Sequence, residues 1–101
     1  MNRLDKITGV CNDAIGYFGT SRRVDKAMEE MGELSASLMQ YKYGRADVDS
    51  VTEEIADVIV IAYQLALIFG KDDVSSKIDD KIERLQKMIP KAMPKKEYYG
   101  G

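Results

Sequence analysis

Two acidic pairs stand at three-residue spacing, Glu30 with Glu33 and Glu54 with Asp57. On a helix such residues are neighbours, with Cβ atoms roughly 5–6 Å apart, so each pair points one way. If the two helices are antiparallel neighbours, the pairs converge. Four carboxylates pressed together repel, and several would need raised pKa values to stay protonated and in place. A divalent cation removes that repulsion. Ligation by oxygen alone, without His or Cys, suits Mg²⁺ or Mn²⁺ rather than zinc. Glu pairs at this spacing also occur on solvated helix faces, so one pair alone argues little. The recurrence argues more. So does Asp57, which lies between Ala56 and Val58 at the mouth of an uncharged run, where a solvated charge is least expected. It is also a poor helix former.

The composition narrows the chemistry. There is no histidine, which removes His-based acid/base catalysis, Ser-His-Asp and Cys-His nucleophile systems and most zinc sites. Any catalysis falls to carboxylates, Lys, Tyr, Arg or a metal held by oxygen. The single cysteine, Cys11, rules out an intrachain disulfide and makes a reducing, cytoplasmic setting the expectation. Cys11 reads as a small buried hydrophobe. No cationic-then-apolar leader opens the sequence. The uncharged apolar stretch of residues 58–69 holds twelve residues and is too short to span a bilayer.

With 101 residues the expectation is one domain, 1–101, with a core over about 2–90 and a flexible or swapped tail over 91–101. The net charge of −2 is unevenly spread. Residues 25–57 hold nine acidic and three basic side chains, and residues 81–97 hold six basic and two acidic. The two regions could complement each other or face one charged ligand.

The elements that must position the carboxylates are helical, with no strand pattern and no internal repeat. Leu4, Ile7, Cys11, Ala14 or Ile15, and Phe18 mark a first amphipathic helix. The stretch "FGTSRR", residues 18–23, breaks it. Val24, Ala27, Met28, Met31, Leu34, Leu38 and Tyr41 mark a second helix, with the methionines read mostly as core filler and Gly44 as its end. Ser50 with Glu53 reads as a capping box opening a third helix. That helix is apolar on almost every side from Val58 to Phe69 and should be deeply buried. Gly70 ends it. Asp72 or Asp73 caps a fourth helix bearing Val74, Ile78, Ile82, Leu85 and Ile89, which Pro90 stops. The fold class expected is all-α, a four-helix up-and-down bundle-like subunit. The third helix has more apolar surface than three partners cover, so a homodimer or a dimer-of-dimers tetramer is expected.

"EEMGEL", residues 29–34, and "EEIADVIV", residues 53–60, carry a further signal. The pattern Glu29-Glu30-x-x-Glu33, a twenty-residue spacer, then Glu54-x-x-Asp57 resembles the signature of the all-α nucleoside triphosphate pyrophosphohydrolases. That is the MazG-like superfamily, which also includes dimeric dUTPases and phosphoribosyl-ATP pyrophosphohydrolase. Gly32 and the apolar run after Asp57 match too, and the resemblance covers roughly residues 22–90. It implies hydrolysis of a nucleoside triphosphate to the monophosphate and pyrophosphate, with Mg²⁺ held by Glu30, Glu33, Glu54 and Asp57. The candidate catalytic residues are Glu29, Glu30 and Glu33. Glu29 is left as a further ligand, a partner behind the ligands, or the base that orients water.

That chemistry suits the residues. A triphosphate needs a metal bridge to approach bare carboxylates, and an activated water must reach the α-phosphorus. Lys26, one turn before Glu30 on the same face, is the best-placed cation for the leaving pyrophosphate, with Arg22, Arg23 and Arg45 as further candidates. A base pocket needs flat apolar walls, and Tyr17 is the candidate wall, with Phe18, Tyr41 and Tyr43 also near helix ends. Each of these also reads as ordinary surface or core. The substrate expected is a nucleoside triphosphate. A nucleic-acid polymer is disfavoured by the negative net charge and the lack of a binding motif, and no membrane partner is expected. Rival readings are a phosphoribosyl-ATP pyrophosphohydrolase-like enzyme and a non-catalytic helical binding module. A di-iron carboxylate bundle would need Glu-x-x-His, and there is no His.

Overall fold

The structure is a computed structural model that describes residues 2–90. The described residues form four α-helices and no strand: α1 (Arg3–Phe18), α2 (Thr20–Lys42), α3 (Val48–Phe69) and α4 (Lys71–Met88). The chain divides into two compact units, Met1–Phe69 and Gly70–Gly101. The expected tail, residues 91–101, lies outside the described residues.

In the first unit each helix starts and stops for a local reason. The side chain of Asn2 accepts from Asp5 N at 2.8 Å, capping α1. Gly19, at φ 91°, is the one residue between α1 and α2. A positive φ costs a residue with a Cβ and costs glycine little. The break is therefore shorter than the stretch 18–23, and α2 starts at Thr20 instead of near Val24. Arg22 and Arg23 consequently sit on the helix rather than in a loop. α2 ends in a Schellman motif: Gly44 N bonds to Tyr41 O at 3.0 Å, and Arg45 N to Gln40 O at 2.8 Å. Gly44 takes φ 73° there.

α3 also opens earlier than its expected capping box. Asp47 Oδ1 accepts from Ser50 N at 2.8 Å, so Asp47 is the cap and Ser50 lies inside the first turn. This bond holds the Asp47 carboxyl below its ordinary range.

α2 and α3 form an antiparallel hairpin, the main packing of the unit, and α1 lies against both. Its register is read from cross-helix pairs. Arg23 faces Gln64, and Glu33 faces Glu54, so ten residues forward on α2 match ten residues back on α3. Thr8 and Tyr63 share a part-buried hydroxyl bond of 2.7 Å that ties α1 to α3, worth about 1 kcal/mol. The apolar core is small: Cys11, Ala27, Val51 and Ile61 are buried. Cys11 is thus the buried hydrophobe expected, and burial pushes its thiol pKa up.

α3 carries more apolar surface than its neighbours cover, as expected: Ile59, Val60 and Phe69 remain exposed. Two helices can flank only one side of a third. One packing expectation fails. Met28, Met31 and Met39 are exposed rather than core filler.

The second unit contains α4. It starts at Lys71, with Gly70 in the cap position and no side-chain cap; Asp72 and Asp73 fall in the first turn instead. There they favour the positive end of the helix dipole. Glu83 and Lys87 pair at 3.3 Å along its surface, an exposed pairing of small energetic weight. The helix closes at Met88, just before Pro90.

Candidate metal centre

The hairpin register brings the acidic phrases together. One oxygen each from Glu30, Glu33 and Glu54 lies within 4.8 Å of the others, a spacing that admits a single cation. The three differ in depth. Glu30 is buried, at 7% exposure, Glu54 is half-buried and Glu33 is exposed. A three-residue step falls about 60° short of a full turn, so the second acid of a pair points off the line of the first. Glu33 still reaches the group from this position. Asp57, one methylene shorter, stands exposed and outside the three-residue group. The expectation that a solvated charge is least expected at Asp57, at the mouth of the apolar run, is corrected here: Asp57 is exposed, and Glu54 is the more shielded of the pair.

The electrostatics are those of a crowded anionic site. The Glu33 carboxyl is pushed above its ordinary range, first by the charge of Glu30, then by desolvation, then by Glu54 and Glu29, with Lys26 opposing. Lys26 is the resident counter-ion. Its Nζ lies 3.1 Å from Glu30 Oε1 and 3.4 Å from Glu29 Oε1, and the Glu30 and Glu29 carboxylates hold its pKa up. One lysine does not saturate the cluster. Glu30 Oε2 and Glu54 Oε2 are both buried without a hydrogen-bond partner among the described residues. Buried carboxylate oxygens without partners are costly and rare. A close group of carboxylates with unpartnered oxygens fits a hard divalent cation.

The other sequence candidates are distributed unevenly. Glu29 lies on the exposed edge of α2, bound to Lys26 and outside the three-carboxylate group. Arg22, Arg45 and Tyr17 are exposed, and their side chains make no hydrogen bond or ion pair among the described residues. Tyr17 packs edge-on against Phe18, ring centres 4.8 Å apart, but at 84% exposure it walls no pocket. Arg23 is different. It is half-buried, its guanidinium lies 4.2 Å from the centre of the Phe18 ring, and Nη1 donates to Gln64 Oε1 at 3.5 Å.

Gln64 was not among the sequence candidates. It is buried, and its Nε2 donates to Val60 O at 3.5 Å. The available signal was its place in the run 58–69, where Tyr63 and Gln64 are the only side chains with polar groups.

No family model matches the chain, and no curated protein or solved structure matches it either. No described helix is long and apolar enough to cross a membrane.

Proposed function

We propose that this chain is a Mg²⁺-dependent nucleoside triphosphate pyrophosphohydrolase of the MazG-like type. The observation that carries the reading is the convergence of Glu30, Glu33 and Glu54 within 4.8 Å, with a buried, unpartnered oxygen on two of them. Glu30, Glu33 and Glu54 would hold the metal, and Asp57, one turn along α3, would join from the rim. Bound there, Mg²⁺ supplies a water of lowered pKa and neutralises phosphate oxygens.

The chain's own residues define the rest. The depth of Glu30 sets the floor of the site. Glu29, exposed and bound to Lys26, would act as a further ligand, as a partner behind the ligands or as the base that orients water. Lys26, one turn before Glu30 on the same helix, would meet the phosphates that the metal brings. The reaction joins a water oxygen to the α-phosphorus and breaks the bond from that phosphorus to the α,β-bridging oxygen. The bond's electron pair leaves with pyrophosphate, and the water proton passes to a carboxylate or to solvent.

The working form proposed is a bundle-like subunit in a homodimer or dimer-of-dimers. The exposed Ile59, Val60 and Phe69 on α3 are the surface that needs cover.

The test is a screen of canonical and modified nucleoside triphosphates and phosphoribosyl-ATP, with Mg²⁺ or Mn²⁺, read by product chromatography. Monophosphate and pyrophosphate are expected, with no turnover in excess chelator. Diphosphate and orthophosphate as products, or full activity in chelator, would reject the reading. Turnover confined to phosphoribosyl-ATP would move the assignment to that sister activity.

A further inference from the structure

Resting on the metal-dependent reading above, we infer that Arg23, seated between Phe18 and Gln64, is the residue that grips the outer phosphates of the bound polyphosphate. Three observations on the molecule lead there.

The first is its unneutralised charge. Among the described residues no carboxylate lies within ion-pairing distance of Arg23, whereas Lys26 next to it is engaged by two. Arg23 Nε is buried and has no hydrogen-bond partner. A partly desolvated guanidinium without an anion is costly, and a phosphate at its accessible edge would supply the missing charge.

The second is preorganisation. The Phe18 ring at 4.2 Å supports the guanidinium plane, and Gln64, itself 5% exposed, fixes one nitrogen from α3. Such seating lowers the entropy lost when the planar fork meets a phosphate. Arg22 and Arg45 have no such seat.

The third is place. Arg23, Lys26, Glu30 and Glu33 follow one another at three- and four-residue steps, which keeps them on one face of α2. Seven residues separate Arg23 from Glu30, about 10 Å of helix rise. A phosphate chain anchored at the carboxylate end and running toward the N-terminus of α2 passes Lys26 and meets the Arg23 side chain. The phosphates nearest the carboxylates are those attacked, so the ones at Arg23 belong to the leaving group. The chemical class recognised is a linear polyphosphate, whatever organic group it carries.

The test uses the full chain, inorganic tripolyphosphate and Mg²⁺ in titration calorimetry, with helical content followed by circular dichroism. Wild type should bind Mg²⁺ alone and Mg²⁺-tripolyphosphate. Arg23→Gln should bind Mg²⁺ as wild type does but weaken tripolyphosphate by at least about tenfold. Phe18→Leu, which keeps the guanidinium and removes its support, should weaken tripolyphosphate by about threefold. Arg23→Lys, which keeps the charge and loses the fork, should fall between wild type and Arg23→Gln. If Arg23→Gln loses helical content, Arg23→Lys decides. Tripolyphosphate binding unchanged in a folded Arg23 variant would make Arg23 a brace between helices and overturn the inference, with the metal reading intact. Wild type that binds no Mg²⁺ would remove the metal reading and this inference together.

Discussion

Lys26 Nζ lies 3.1 Å from Glu30 Oε1, while the other oxygen of the same buried carboxylate has no partner. One cation on the chain thus meets one oxygen of that carboxylate and leaves the other open. Lys26 therefore competes with any metal at Glu30, yet faces any phosphate that the metal brings. Lys26→Met should tighten Mg²⁺ binding, by about two- to fivefold on the scale of a partly exposed charge pair, and weaken Mg²⁺-nucleotide binding. Calorimetry with Mg²⁺ and then with a non-hydrolysable triphosphate reads both. Changes of the same sign in the two titrations would contradict this double role.

The carboxylates should not contribute equally. Glu54 is half-buried inside the converging group, and Asp57 is exposed outside it. Glu54→Gln is expected to lower Mg²⁺ affinity by more than about tenfold, and Asp57→Asn by less. Equal losses would mean that Asp57 reaches the metal as fully as Glu54 does.

Without metal, the pH dependence of stability should carry the mark of Glu33. Its pKa in the fold is raised above the ordinary 4.5, chiefly by the charge of Glu30. A carboxyl raised in this way contributes stability that is full below its unfolded pKa and lost as pH rises through the folded one. The metal-free melting midpoint should therefore fall as pH climbs through the range just above 4.5. Glu33→Gln should flatten that fall and melt higher at neutral pH. Identical melting profiles for the two proteins would count against the repulsion.

Asp47→Ala removes the cap of α3 and should lower the melting midpoint by about 5 °C at neutral pH. The sign of the pH effect is opposite to that of Glu33. The Asp47 pKa is depressed by its bond to Ser50 N, so its contribution is present above 3.8 and lost as pH falls below that. Scanning calorimetry at neutral and acidic pH should show the wild-type and variant midpoints approaching each other in acid.

Sedimentation at micromolar concentration should give a mass at least twice 11.3 kDa. Ile59→Glu, on the exposed face of α3, should reduce it. An active monomer would show that this apolar face is tolerated in water.

The acidic phrases were legible as paired carboxylates because three-residue spacing on any helix makes neighbours, whatever the helix packs against. The helices themselves were legible for the same reason: Leu4, Ile7 and Cys11, or Val24, Ala27 and Met31, define a face through local geometry alone. Boundaries were less legible. Thr20 and Ser21 have middling helix propensity, and a single glycine at φ 91° turned the chain where a six-residue break was expected. What periodicity could not reveal was depth. Glu30 and Glu33 belong to one phrase, as do Glu54 and Asp57, yet one of each is shielded and the other wet. The pairing of Arg23 with Gln64 across 41 residues was equally hidden. Both depend on the register in which α3 returns along α2, and on the corner at Gly19 that sets Phe18 beneath Arg23. A residue's spacing along its own helix assigns its direction; the neighbouring helix, arriving from far along the chain, assigns what it meets and how much water remains around it.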